Sequence, residues 1–183
     1  VSKELLKYVD QGYKVITLTA SCGLMLKFEW PLLLPDDEGI KKLSKNTFDI
    51  DEYIVYIANN GGLVEGLQEI DGGVTVHHAC HARAQNMGNK ARDMLKLIPN
   101  VKIDVVERCA GHGGTFGVMK ETHDMAIKVG KTTASTVKRK NNKYMASDCP
   151  LAGKHIKQLA EDTNIANDEA LHPIELVAKS YRL

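Results

Sequence analysis

The stretch Arg108-Cys109-Ala110-Gly111-His112-Gly113-Gly114-Thr115 holds one thiol, one imidazole and three glycines. Thiolate and imidazole are the side chains that bind soft and borderline metals, and glycines let the backbone approach closely whatever is bound. Cys22, Cys80 and Cys149 occupy comparable points, each just after a short β-type run and beside the start of a helical pattern. His77 and His81 flank Cys80, and His112 follows Cys109 by three positions. Such a set suits metal coordination. No Cys-x-x-Cys pair occurs, so thiol–disulfide exchange is the weaker reading.

The composition narrows the class of protein. With 183 residues, 43% apolar and 26% charged, the chain can bury a real core as one domain, or as one domain plus part of another. Lys and Arg number 24 against 23 Asp and Glu, so no one-signed field is present to hold nucleic acid or an anionic membrane. The apolar stretch from Trp30 to Leu34 contains Pro31 and is far too short to span a bilayer. Four cysteines with no export signal point to a reducing compartment, the cytosol by default. The chain opens at Val1 directly into a helical pattern, which is expected of a piece of a longer polypeptide.

The elements that must position these residues follow from periodicity. Leu5, Leu6 and Val9 mark a first helix, and Lys14 to Thr19 a strand. Gly23 to Trp30 reads as a helix closed by Pro31. A helix with Ile40 and Leu43 inward follows, and then one capped by Asp49 or Asp51 that ends at Asn59-Asn60-Gly61-Gly62. The loop-like run up to Gly73 is the predicted internal boundary. Beyond it come a strand at Val74 to His78, a helix at Ala82 to Ile98 and a strand at Val101 to Val106. A long helix is predicted over Phe116 to Val137 with Gly130 as its weak point, then a basic turn at Lys138 to Lys143 and a strand at Tyr144 to Ser147. Helices opened by Cys149-Pro150 and His172-Pro173 complete the chain.

An internal repeat is visible. Thr19-Ala20-Ser21-Cys22-Gly23-Leu24-Met25-Leu26-Lys27 parallels Ala146-Ser147-Asp148-Cys149-Pro150-Leu151-Ala152-Gly153-Lys154, and Asp51-Glu52-Tyr53-Ile54 parallels Ile174-Glu175-Leu176-Val177. The expected organisation is two copies of one unit: residues 1–72 as the back half of a first cysteine-rich domain and residues 73–183 as a complete second one. Alternating strands and helices imply an α/β fold, a parallel sheet with flanking helices, in which ligands sit beyond the carboxyl ends of the strands. Cys80, Cys109 and Cys149 all lie at that end and can meet despite their separation in sequence. A helix amino terminus also favours the thiolate, the form that binds metal.

The pattern His77-x-x-Cys80-His81, Cys109-x-Gly111-x-x-Gly114, Asp148-Cys149-Pro150, and His172-Pro173 with Glu175-Leu176 resembles the cysteine-rich CCG domain. That domain occurs in the B subunit of heterodisulfide reductase, in the C subunit of anaerobic glycerol-3-phosphate dehydrogenase, and in lactate and glycolate oxidase iron–sulfur subunits. The resemblance covers the whole chain, as tandem CCG-type domains with the first one truncated. It implies iron–sulfur electron transfer between a flavin dehydrogenase or ferredoxin-like domain and a disulfide or quinone acceptor. FAD would reside on a partner, and peripheral attachment to the inner membrane would come through partners, a membrane anchor among them.

Carried over residue by residue, the resemblance makes Cys80 the first cysteine, Cys109 the first of the paired cysteines and Cys149 the first of the closing Cys-x-x-Cys. Cys22 matches that closing motif in the other domain. Ala110 stands where the pair has its second cysteine, and Ala152 and Met25 stand where the closing motifs have their last. Three thiolates and an imidazole suffice for a [4Fe–4S] cluster or for tetrahedral zinc, with His77, His81 and His112 as candidates for the imidazole. Gly111, Gly113 and Gly114 permit a tight turn and would offer amide donors to sulfur. Arg83, beside the Cys80 loop, is placed to stabilise a negatively charged centre or to reach solvent. A non-catalytic docking module, with or without structural zinc, is the rival reading.

Overall fold

The computed structural model describes residues 1–160, 165 and 170–183. Helix α1 (Ser2–Val9) leads into strand β1 (Val15–Thr17), and α2 (Ala20–Leu24) continues through a π-helical turn (Met25–Glu29) into α3 (Trp30–Leu33). Pro31 does not close this helix, which continues past it to Leu33. Helix α4 (Glu38–Lys45) is capped by Asp37, which accepts from the Ile40 amide, and buries Ile40 and Leu43 as their spacing predicts. Strand β2 (Thr47–Asp49) was not anticipated: it is three residues long and runs straight into α5 (Ile50–Asn60), too short for an alternating pattern to register. It pairs in parallel with β1.

The second half is built on a three-stranded parallel sheet in the order β4-β3-β5, with β3 (Val74–His77) central, β4 (Ile103–Val106) and β5 (Tyr144–Ser147). All four β3 residues are buried, which requires cover on both faces. Val74, Val76, Tyr144 and Ala146 pack on one face against Met94 and Leu95 of α7 (Lys90–Leu95) and Leu176 and Val177 of α10 (Pro173–Ser180). Val106 and Met145 face the other side, toward Ala134 and Val137 of α8 (His123–Lys140) and Ile156 of α9 (Pro150–Leu159). Val74 and Val76 are fully buried, worth about 1.5–3 kcal/mol each. The parallel α/β architecture agrees with expectation. Among the described residues no helix is long and apolar enough to cross a membrane.

Two long helices expected from periodicity are interrupted. The run from Ala82 to Ile98 divides into α6 (Cys80–Ala84) and α7, because Asn86 and Gly88 adopt positive φ of 53° and 76° between them. Ala91, Met94 and Leu95 are buried, whereas Ala84 is exposed. The run from Phe116 contains a 3₁₀ turn (Gly114–Gly117), and α8 begins only at His123 and continues to Lys140, into the expected basic turn. Gly130 is no weak point. It lies buried in α8, where a Cβ would come within 2.6 Å of the Ala110 carbonyl oxygen.

The two halves are in contact. Helix α2 packs on α6, and α5 packs on α7. The Ala20 amide donates to the Asp148 carbonyl (3.5 Å), and the buried Gln85 amide donates to the Ala20 carbonyl (3.1 Å) and to Asp49 Oδ2 (3.4 Å).

Candidate metal centre

The last residues of the three strands, His77, Val106 and Ser147, lie on one rung of the sheet. Cys80 and Cys109 follow their strands by three residues and Cys149 by two. All three line one cavity of about 430 Å³, together with His77, His81, Ala110, Gly111, His112, Gly113, Gly114 and Ala152. The sheet thus brings together thiols 29 and 40 positions apart in the chain. Ala110 and Ala152, which stand where the resemblance expects further cysteines, are buried on the wall of this same cavity.

Two sulfurs receive hydrogen bonds from the protein. The Gly111 amide donates to Cys109 Sγ (3.4 Å), and Arg83 Nη2 donates to Cys80 Sγ (3.4 Å). Both favour sulfur carrying negative charge. The Cys109 loop can deliver its amide because Gly111, at φ +80°, lies against the backbone of α8 at Ala126 and Gly130, where any Cβ would collide. Thr133 Oγ1 donates to the Cys109 carbonyl (2.6 Å) and ties the loop down from the same helix.

His77 is engaged at both nitrogens. Nε2 lies 3.0 Å from the Arg108 carbonyl, which can only accept, so Nε2 carries the proton. Nδ1 lies 3.0 Å from Ser147 Oγ and in the neutral ring accepts from it. Ser147 Oγ in turn accepts from the Cys149 amide (3.3 Å). Burial, reinforced by the Arg83 and His78 charges, holds the His77 imidazole below its ordinary pKa despite the Arg108 contact. His77 therefore clamps the three strand ends beneath the cavity and has no nitrogen left over for a metal.

His81 and His112 also line the cavity. His112 Nε2 is buried without a hydrogen-bond partner among the described residues, and burial followed by repulsion from His155 lowers its pKa, keeping the ring in the neutral form that ligates metals. His78, on the other side of its strand, meets Glu107 Oε1 at 3.1 Å and does not line the cavity. His172 caps α10, its Nδ1 accepting from the Ile174 amide. Cys22 is exposed on α2 and is not part of the cavity wall.

Sequence reasoning missed a group of buried carboxylates between the halves. Asp49, Asp51 and Asp148 are each at most 3% exposed. Burial, then the Asp49 charge, pushes the Asp148 carboxyl up to about 7, and burial, then the Asp148 and Asp49 charges, raises Asp51 well above the usual carboxylate range. The available signal was Asp148 beside Cys149, and Asp49 and Asp51 flanking a helix start. Their meeting is tertiary.

The donor set, three thiols of which two accept hydrogen bonds, fits an iron–sulfur cluster. Thiolates that accept amide and guanidinium hydrogen bonds are the surroundings that hold such clusters and tune their potentials. A mononuclear zinc site instead needs its ligands on one tetrahedron with bonds of about 2.0–2.3 Å.

Comparison with known proteins bears on the same residues. The B subunit of the fumarate reductase (CoM/CoB) of Methanothermobacter marburgensis is 27% identical over 176 residues, covering 93% of this chain and 33% of that protein. Lactate utilization protein A of Macrococcus caseolyticus is 29% identical over 127 residues, covering 64% of this chain and 49% of its own length. Lactate utilization protein A 1 of Bacillus cereus is 24% identical over 181 residues, covering 90% and 73%. The chain thus spans a third to a half of the first two. A family model for the cysteine-rich CCG domain matches residues 74–157, from β3 through most of α9. Residues 74–157, which hold the cavity and its three cysteines, thus match the cysteine-rich CCG domain model, and the chain is similar to these relatives.

Proposed function

We propose that the chain is an electron-transfer module of an iron–sulfur oxidoreductase, with Cys80, Cys109 and Cys149 as thiolate ligands of a [4Fe–4S] cluster. The observation that carries this reading is the single cavity at the sheet's carboxyl edge, lined by three thiols of which two already accept hydrogen bonds. When bound, the cluster would take up and release one electron at a time. The chain's own residues hold and tune it: Arg83 and the Gly111 amide stabilise negative sulfur, and His77 fixes the spacing of the strand ends. His81 and His112 are the imidazoles on the wall that can complete the ligand set. Ala110 and Ala152 limit the set to three thiolates, which suits a cubane and leaves a cluster needing five short of ligands.

The relatives are named as part of a reductase and as lactate utilization proteins, which supports a place in a multi-subunit oxidoreductase. On this reading the donor is a flavin dehydrogenase of the glycerol-3-phosphate, glycolate or lactate type, or a ferredoxin-like domain. The acceptor is a disulfide or a quinone. Residues 1–72 form the back half of a first cysteine-rich domain, to whose centre Cys22 belongs, and residues 73–183 form the second.

Anaerobic reconstitution with iron and sulfide tests the proposal. The expected product is brown, with broad thiolate-to-iron absorption that bleaches on reduction and a paramagnetic signal in the reduced state. A colourless protein carrying one zinc per chain overturns the cluster and leaves the docking-module reading.

A further inference from the structure

Helix α6 carries Cys80 and His81, which line the cavity, and Arg83, which donates to the Cys80 sulfur. It is five residues long, and its N-cap, Ala79, offers no side-chain cap. A helix this short does not hold itself in place, so its position is set by what it packs against. From Cys80 to Gln85, only Ala82 and the C-cap residue Gln85 are buried. We infer that Gln85 is a positioning residue for Cys80: it locks the helix that carries Cys80 onto the helix that carries Cys22, so that the first half of the chain sets where the Cys80 thiol stands at the cavity of the second.

Gln85 is 2% exposed, and both ends of its amide meet the first half. Nε2 donates to the Ala20 carbonyl of α2 (3.1 Å) and to Asp49 Oδ2 at the end of β2 (3.4 Å), and Oε1 accepts from Lys27 Nζ (3.1 Å). Acceptors on one side and an ammonium on the other fix which way the amide points. Lys27 is itself held by Glu52 Oε2 (2.7 Å), and Glu52 completes the capping box of α5. The notch that receives the amide depends on Gly23 of α2, where a Cβ would come within 2.9 Å of Gln85 Nε2 and 3.0 Å of its Oε1. Apolar contact alone lets two short helices slide past one another, whereas a buried amide loses its hydrogen bonds when displaced. Arg83 and Cys80 lie on the same helix, so the donor and the thiol are placed together.

Two variants test this role from opposite sides of the contact. Gln85→Met keeps the length of the side chain and removes its hydrogen bonds, and Gly23→Ala forces the amide aside without altering α6. Asp37→Ala, which removes the cap of α4, controls for a general loss of stability. In the reduced, metal-free chain, the Arg83 amide, bonded to the Ala79 carbonyl, should exchange about tenfold faster in Gln85→Met than in Asp37→Ala. The carbon-13 Cβ signal of Cys80 should shift in Gln85→Met and in Gly23→Ala, while those of Cys109 and Cys149 stay in place. A last readout rests on the proposed cluster: in the iron-loaded chain, the paramagnetic signal of the reduced state should shift in the same two variants and not in Asp37→Ala. A Cys80 signal that stays in place in both variants, or that moves as far in Asp37→Ala, overturns the positioning role, as does a shifted Cys80 signal with an unchanged paramagnetic spectrum. If Gln85→Met fails to fold, Gly23→Ala decides by the same signals. A parent chain that takes up no cluster overturns the proposed function instead, and the Cys80 signal of the metal-free chain then decides the role of Gln85.

Discussion

Cys22 and Cys149 occupy matching places in the repeated sequence but different places in the fold. In the second copy Ala146 bridges to Leu171, and the next residue, His172, caps α10 with a capping box completed by Glu175. In the first copy Thr17 pairs with Asp49, which caps α5 with a capping box completed by Glu52. Measured from the strand end, Cys149 comes two residues on, at the N-cap of α9, whereas Cys22 comes five residues on, inside α2. The N-cap position turns Cys149 into a cavity that two neighbouring strand ends also enter, while Cys22 stands exposed on a helix beside a two-stranded sheet. One strand–cysteine–helix unit by itself encloses no cavity among the described residues; three converging strand ends do.

The largest break in this comparison comes from the thiols. Cys109→Ser and Cys149→Ser should each lose most of the reconstituted iron, whereas Cys22→Ser should keep the iron held by the other three cysteines. Iron per chain and visible absorbance measure both. Equal losses in all three variants would remove the distinction between the regions.

Backbone approach gives the next effect. Gly111→Ala places a Cβ into the rigid backbone of α8 at positive φ and should cost roughly 3 kcal/mol or more in denaturant unfolding. At Gly23 a Cβ would come within 2.9 Å of Gln85 Nε2 and Thr17 Oγ1, both side-chain ends that can shift. Gly23→Ala should cost about 1–2 kcal/mol.

Asp51→Asn sharpens the contact between the regions. The raised pKa of Asp51 means that the folded protein keeps a proton which the unfolded chain releases near pH 3.9. Its contribution to stability is full below that pH and is lost as pH rises toward neutrality. The variant should be more stable than the parent by about 1–3 kcal/mol at pH 8 and should flatten the fall between pH 4 and pH 8, read from denaturation midpoints. A steeper fall in the variant would contradict the assignment. The smallest effect is expected at the caps. His172→Ala should cost about 1 kcal/mol, and Asp49→Ala less, because it also relieves repulsion with the other buried carboxylates.

The strands at Val74 and Tyr144, the caps at Asp49 and His172, and the cysteines' position after strands were legible because each rests on local pattern or local hydrogen bonding. The helix over Ala82 to Ile98 was misread for the same reason: apolar spacing carried through Asn86 and Gly88, whose left-handed backbone spacing does not encode. Gly130 looked like a helix breaker because sequence shows no neighbour, and its role becomes plain only against Ala110. His77 looked like a ligand because it lies three residues from Cys80, until its nitrogens were found on Ser147 and Arg108.

The sequence alone determined the alternation of strand and helix, the parallel α/β class that follows from it, and the residue types able to hold soft metal, because these depend on short-range periodicity and intrinsic chemistry. Tertiary structure decided which thiols share a cavity, which imidazole is already occupied and where three carboxylates are buried together. Those are matters of convergence between segments distant in the chain, and strand order and helix packing, which no local pattern carries, set them.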